Sequence, residues 1–488
     1  MARASACNAW TTEGDNLKRR SFLQSAGTTA LAAPFAGAWR TAHAVEESPL
    51  RPVPDGTTGL PLLKLPDGFS YRSFGWTGDP MVGGEPTPDR HDGMAAFPGA
   101  SRDEILLIRN HERAMTGLIG GDAPVYDKWF PPDDASGGFG GGVTGLTVSG
   151  GVYRESRPLL SGTSINCAGG PTPWGSWLTC EEIVLRASRI GGKDHGYVFE
   201  VPIEGRASGR PITDMGLFRH EATANDPKTG IVYLTEDNGP HSGFFRFLPK
   251  DVSPRVGALE AGGELQMLRV RGQANADLTE IETGDSFDTE WVPIMEPDHD
   301  PEKFAASGGG GAPIIGGGKS GPYLQGEAGG AARFHRGEGC WYYDGVIYWV
   351  DTTGGAAEAG SVWAYDPAAE RLTAIYVSPS TDEADAPDNI TLSRTGTIIL
   401  CEDGAGESLL GFQIRGTRLL SVDRNGRVRV MGENNMALDD GVPGRSAIEP
   451  NDYRDSEWAG ATFSPDGKTL FVNIQTPGVT LAITGPWV

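Results

Sequence analysis

The chain has 488 residues, 71 of them glycine and 35 proline, and carries 64 acidic against 41 basic residues for a net charge of -23. The glycines are spread among short apolar runs, which excludes low-complexity disorder and points to a turn-dense all-β protein. No basic stripe exists to release counterions from phosphates, so a nucleic-acid partner is excluded; the acidic excess fits solubility and, where acids recur at the ends of apolar runs, hard-cation binding.

The N-terminus reads as an export leader. Lys18-Arg19-Arg20-Ser21-Phe22-Leu23 precedes an apolar stretch from Ala26 to Trp39 and then Ala42-His43-Ala44. A twin arginine before Ser-Phe-Leu marks the bacterial twin-arginine route, with cleavage expected after Ala44 and a periplasmic or extracellular product. The apolar stretch is too short and too rich in glycine and alanine for a stable membrane span, and no other segment suits one. Residues 45–488 are expected to form a single β domain, active as a monomer.

From about residue 65 one pattern repeats. A polar residue leads a short apolar run, a Gly-containing turn follows, and a second β-rich run ends in polar or acidic residues. The copies run from His91 to Glu112, Cys167 to Glu182, His220 to Asn238, Glu338 to Asp351, Asp388 to Asp403, and Glu457 to Gln475. Asp344-Gly345 and Asp466-Gly467 lie between apolar runs, a strong hairpin signal. Further strands follow most copies, such as Gly243 to Phe247 and Ser361 to Tyr365. Repeats of about 40–70 residues with four strands each describe propeller blades. The expected fold is therefore an all-β, six-bladed β-propeller, with a β-sandwich as the alternative.

Residues 250–335 break the rhythm and read as a Gly-rich insertion between blades. Gly318-Lys319-Ser320 imitates a phosphate loop, but Pro313 stands where its first glycine is required and no helix is expected to follow.

In a propeller the first strand of each blade lines the channel, so the start of strand one and the end of strand two share one mouth. This alignment puts His91/Asp92, Cys167, Glu221, Glu338, Asp388 and Glu457 on one ring. Behind it lie Glu112, Glu181/Glu182, Glu236/Asp237, Asp351, Glu402/Asp403 and Gln475. So many carboxylates repel one another unless some are protonated or cations sit among them. Carboxylates suit calcium, and a thiolate among them suits a transition metal such as iron. Of the four cysteines beyond the leader, Cys167, Cys180, Cys340 and Cys401, the last three lie within two residues of an acid, which favours a metal cluster over a Cys167–Cys180 disulfide.

The stretch 166–182, Asn-Cys-Ala-Gly-Gly-Pro-Thr-Pro-Trp-Gly-Ser-Trp-Leu-Thr-Cys-Glu-Glu, resembles the hallmark of the PhoX-type alkaline phosphatases. The resemblance continues, in order, at His91-Asp92-Gly93-Met94, Arg109-Asn110-His111-Glu112, His220-Glu221-Ala222, Arg336-Gly337-Glu338-Gly339, Pro387-Asp388-Asn389, Cys401-Glu402-Asp403 and Glu457 through Gly478. It implies a six-bladed propeller that hydrolyses phosphomonoesters at two ferric and three calcium ions, with a cysteine thiolate among the ligands. Carried onto this chain, Cys167 is the iron thiolate, with Cys180 as second choice, and Glu221 and Glu338 are iron-side ligands. Glu112, Glu181, Glu182, Asp388, Glu402 and Glu457 are candidate calcium ligands.

Arg336, two residues before Glu338, reaches the same mouth, where a guanidinium can grip phosphate through two donors. Asn110 is a second candidate phosphate donor. His111 and His220 flank the acids and could orient ligands or move protons; His91, His195, His241, His299 and His335 read as structural. No protein nucleophile is evident, since the chain has no Gly-x-Ser-x-Gly elbow. The rival readings are a calcium-dependent propeller lactonase or esterase, and a non-catalytic calcium-stabilised binding propeller.

Overall fold

The turns close hairpins where the sequence predicts them. At Asp344-Gly345 both residues take positive φ, 49° and 91°, and Tyr343 faces Val346 across the turn. A turn of this kind has the twist of the strands it joins. The computed structural model describes residues 49–130, 137–299, 318–409 and 412–487, which belong to one compact unit. The export leader expected over residues 1–44 and the glycine run of 307–317 lie outside the described residues.

The described chain is all-β except for one short α-helix and a few 3-10 turns. One antiparallel sheet holds His91–Pro98, Glu104–His111, Gly141–Ser149 and Val152–Thr163; the next holds Asn166–Pro171, Ser176–Glu181 and Val198–Pro202. Pro387–Leu392, Ile398–Glu402, Arg418–Val422 and Val428–Asn434 form another, extended by Leu63–Leu65 and Arg51–Val53. Ser70–Phe74 is the outer strand of the sheet made by Trp458–Phe463, Thr469–Ile474 and Val479–Thr484, so strands distant in sequence close one sheet.

The inner strands pack each on the next in chain order, from His91–Pro98 through Asn166–Pro171, His220–Asn225, Gly337–Tyr343 and Pro387–Leu392 to Trp458–Phe463, which packs back on the first. This closed succession is a β-propeller-like arrangement rather than a sandwich of two sheets. The core lies between neighbouring sheets. Phe244 stacks on Trp349 at 3.8 Å, Trp349 lies 6.0 Å from Trp363, and Phe334 meets both edge-on. Each such buried aromatic stabilises the stack by about 2–3 kcal/mol.

The described parts of residues 250–335 hold more regular structure than the sequence suggests. Gly263–Val270 is the fourth strand of its sheet, pairing with Phe244–Pro249. Ser286–Ile294 pairs with it and then with Arg371–Val377, joining two sheets into one of nine strands. Contrary to expectation, a helix, Gly321–Ala328, follows Lys319 and Ser320. It is no phosphate loop: the Ser320 hydroxyl caps it by accepting from Tyr323 N at 3.2 Å, and Lys319 Nζ donates to Glu327 at 2.5 Å.

Candidate metal centre

Most inner strands begin alike. Arg90, Ile165, Arg336 and Ala386 hold φ of 53°, 48°, 58° and 49°, a left-handed geometry that L-residues seldom adopt. The next residue pairs across the hairpin: His91 with His111, Asn166 with Glu181, Gly337 with Asp351 and Pro387 with Glu402. His220 pairs in the same way with Glu236. The register then slips, and the first residue of the bulge is Asp92, Cys167, Glu221, Glu338 or Asp388. A bulge re-aims a side chain, and here it turns each ligand-type group inward. Glycine lets the bulges pack: a Cβ on Gly93 would lie 2.6 Å from Ala168 Cα, and one on Gly339 would lie 2.8 Å from the Asp388 carbonyl.

Two overlapping groups result. Cys167, Glu182 and Glu221 each offer a ligand atom within 4.8 Å of the others, and so do Glu221, Glu338 and Asp388. Glu221 belongs to both. It is wholly buried, and neither of its carboxylate oxygens has a hydrogen-bond partner. Burial first, and then the neighbouring carboxylates, push the Glu182, Glu221 and Glu338 carboxyls well above their usual range and Asp388 up to about 7. The Cys167 thiol rises for the same reasons.

A further set of acids converges on Gln475. Its Nε2 donates to Asp92 Oδ2 at 3.2 Å and Glu112 Oε2 at 2.8 Å, and also to Glu457. An amide has two hydrogens for these three carboxylates. Burial, followed by neighbouring acids, raises the Asp92 and Glu457 carboxyls; burial also raises Glu112, against the pull of Arg90. Asp403 adds charge beside Glu112, Asp388 and Glu457.

Arginines cover this mouth. Arg336 donates from Nε and Nη2 to both Asp237 oxygens, each at 3.0 Å, and its Nη2 lies 2.8 Å from Glu338 Oε1. Arg219 pairs with Glu182 and lies 3.5 Å from Asp237. Burial would raise Asp237, yet the Arg336 fork and both positive charges hold it below the usual carboxylate range. The two arginine side chains are each about one third exposed, at 33% and 34%.

Several sequence candidates lie elsewhere. Glu181 accepts from Ser164 N, His195 Nδ1, Gly196 N and Tyr197 N, which fills its oxygens with protein donors. Glu402 accepts from Asp385 N and from the buried Arg418 through its backbone N, Nε and Nη2. Asn110 donates to the Cys167 and Ala168 carbonyls and accepts from Trp177 Nε1 and Thr179 Oγ1, so it braces the Cys167 bulge and has no donor for phosphate. Cys180 sits among Leu178, Val198 and Phe245 in the core, and Cys340 and Cys401 are likewise core thiols. All four described cysteines are free, and only Cys167 faces the acids. His111 is held by the Asp89 carbonyl and Thr144 Oγ1, each at 2.8 Å, and His220 Nε2 by the Gly216 carbonyl at 3.0 Å; burial keeps both neutral.

Glu457 reaches the centre from a shifted position. Trp458, not Glu457, pairs with Ile474, so Glu457 matches Arg336 and Arg90 rather than the bulged acids. The backbone agrees: Gln475 N donates to the Glu457 carbonyl as Thr352 N donates to Arg336 and Glu112 N to Arg90. Asp92, Asp237, Asp403 and Gln475, which the hairpin alignment puts on or behind the ring, also reach the centre, and so does Arg219, which that alignment does not include. Arg219 stands two residues before Glu221, the offset that singled out Arg336.

The family model described as alkaline phosphatase PhoX matches residues 45–150 and 152–478. No curated protein gives a significant match. Among solved structures, a gluconolactonase from Xanthomonas campestris is 12% identical with a TM-score of 0.38, over 92% of this chain and 99% of its own. A protein of unknown function from Dyadobacter fermentans is 9% identical with a TM-score of 0.39, over 86% of this chain and 100% of its own.

Proposed function

The chain belongs to the PhoX alkaline phosphatase family and is a metal-dependent phosphoric monoester hydrolase, and from that premise we propose that the buried acids around Glu221 are its reaction centre. One observation carries the reading. Glu221 is fully buried, unpartnered at both oxygens, and shared between a thiol-containing and an all-carboxylate group. A fold holds such a group either protonated or beside a cation that offsets its desolvation, and the thiol and acids around Glu221 favour the cation. Cys167, Glu182 and Glu221 would hold ferric iron, since a thiolate with carboxylates suits a transition metal. Asp92, Glu112, Asp388, Asp403 and Glu457, all oxygen donors, would hold calcium. The centre would take two iron and three calcium ions. Bound cations supply Lewis-acid polarisation of phosphoryl oxygens and offset the charge of the leaving group.

The protein's own groups supply binding and orientation. Arg336 and Arg219, anchored by Asp237, Glu338 and Glu182, keep guanidinium edges exposed for the equatorial oxygens of a phosphate ester. Asn110 and Gly93 fix the Cys167 and Asp92 bulges, so the ligand groups are positioned before substrate arrives. The same reading takes the propeller to have six blades, supported by the closed succession of inner strands and by their recurring bulges. It also takes residues 1–44 as a twin-arginine leader that passes a folded, monomeric enzyme to the periplasm or beyond, supported by Arg19-Arg20-Ser21-Phe22-Leu23. Among the described residues no helix is long and apolar enough to cross a membrane.

Metal analysis of protein exported by its own leader, paired with p-nitrophenyl phosphate turnover before and after calcium chelation, tests the reading. Iron near two per chain and chelator-sensitive turnover are expected, and Cys167→Ala should lose iron and turnover together. Calcium alone, or a Cys167→Ala protein with full activity, would overturn it.

A further inference from the structure

The inner strands carry acids at one end and a cavity at the other. It has a volume of about 310 Å³ and lies where three neighbouring inner strands finish, lined by Pro171, Pro173, Asn225, Pro227, Trp341 and Tyr342, with Thr223 and Cys340 deeper in. Glu221 and Asn225 are four residues apart on one strand, which sets the cavity about 13 Å from the metal centre at ~3.3 Å per residue.

Its chemistry is unlike that of the acid mouth. No lining residue is charged. Asn225 is only 5% exposed, yet neither its amide nitrogen nor its amide oxygen has a partner, and the buried Thr223 hydroxyl lacks one too. Native structures seldom leave a whole side-chain amide unsatisfied, so the site calls for a ligand with donor and acceptor side by side. Of the other lining residues, two aromatic and three proline rings offer flat apolar faces, and Thr172, Ala224 and Cys340 complete the wall.

We propose that this cavity binds a neutral sugar ring, independently of the phosphatase centre. Adjacent hydroxyls on a pyranose each donate and accept, and so match the two ends of the Asn225 amide with the Thr223 hydroxyl beside them. The C–H face of the ring packs on Trp341 or Tyr342. An uncharged lining excludes a phosphate ester, whose charge would be buried unpaired. The volume holds one ring, at the lower end of the usual range for small-molecule sites.

Saturation-transfer NMR on the full-length, metal-loaded protein tests this, with methyl β-D-glucopyranoside, methyl α-D-mannopyranoside and N-acetylglucosamine as probes. At least one sugar should show transfer to its ring C–H protons, with affinity falling roughly tenfold in Asn225→Leu, where the amide is replaced by an apolar group of similar size. Trp341→Ala should weaken it as well, and p-nitrophenyl phosphate turnover should stay unchanged in both variants. Thr223→Val serves as the second probe of the polar wall should Asn225→Leu not fold. Transfer from none of the sugars, equal transfer in Asn225→Leu or Thr223→Val, or loss of transfer on adding p-nitrophenyl phosphate would overturn the assignment.

Discussion

At the ends of the strands Ser176–Glu181 and Ile398–Glu402 two acids stand side by side in different surroundings. Glu181 and Glu402 turn into the protein, where His195 and Arg418 meet them with well-formed hydrogen bonds. Glu182 and Asp403, one residue later, turn to the central mouth. Their backbone N–H groups are tied back to the Ile165 and Ala386 carbonyls at 2.8 and 2.9 Å, just before the bulges. The first of each pair has its oxygens filled by donors of the fold, and the second faces other acids, with only the Arg219 guanidinium set against Glu182. A buried carboxylate is thus evidence for a metal only after its protein donors have been counted.

The largest effect should come from the residue with no compensation at all. Glu221→Gln keeps the size and removes the charge shared by both groups. Metal content should drop, and turnover of p-nitrophenyl phosphate should fall on the order of 10³-fold. A variant that keeps full iron, calcium and rate would break the distinction at its centre. The sharper contrast is between Glu402→Gln and Asp403→Asn. The first leaves the 4% exposed Arg418 side chain without its counter-charge and should cost about 3–5 kcal/mol in urea unfolding. The second should leave stability nearly unchanged while weakening calcium binding by about 10–100-fold, read by titration of the chelated protein.

The compensated side also makes a pH prediction. Burial pushes the His195 imidazole down, but Glu181 at 2.6 Å and Asp127 at 3.5 Å outweigh it and hold its pKa up to about 9. A group whose pKa is raised on folding stabilises fully below its unfolded value, near 6.5, and loses that contribution as pH rises through about 9. The loss should amount to roughly 3 kcal/mol between pH 6 and pH 10. Unfolding midpoints across this range should show the slope in the wild type and lack it in His195→Gln.

Much of this arrangement can be read from sequence, because a propeller repeats its hairpin and each copy marks its ends with polar residues. Cys167, Glu221, Glu338 and Asp388 stand out at the head of apolar runs for that reason. What sequence leaves open is local geometry. A bulge changes which of two neighbouring residues points inward, and no residue type announces it, so Glu181 and Glu182 look equivalent and Glu457 looks aligned with the bulged acids. Asn110 looks like a free donor because the carbonyls that take its amide hydrogens, those of Cys167 and Ala168, belong to the neighbouring sheet 57 and 58 residues away. Gly263–Val270 was hidden by the polar residues alternating with its buried Leu265 and Met267.

Arg219 stands two residues before Glu221 as Arg336 stands before Glu338, so it is legible in the sequence, and the pair separates charge balance from phosphate binding. Arg336 forks onto Asp237 and also touches Glu338, whereas Arg219 reaches Glu182 and, less closely, Asp237. If both only neutralise carboxylates, losing either should change metal content and leave inhibition by inorganic phosphate alone. If their exposed edges grip phosphate, Arg336→Ala should lower kcat/KM about 10²-fold and weaken phosphate inhibition with metals retained. Arg219→Ala should do the same by about tenfold, since it is the less firmly braced of the two. Lysine at 336 would keep the charge but lose the fork, so a rate between wild type and Arg336→Ala would place the contribution in the paired donors as well as the charge. A Lys variant equal to wild type would assign the effect to charge alone, and would move Arg336 to the side of the residues that merely balance the acids.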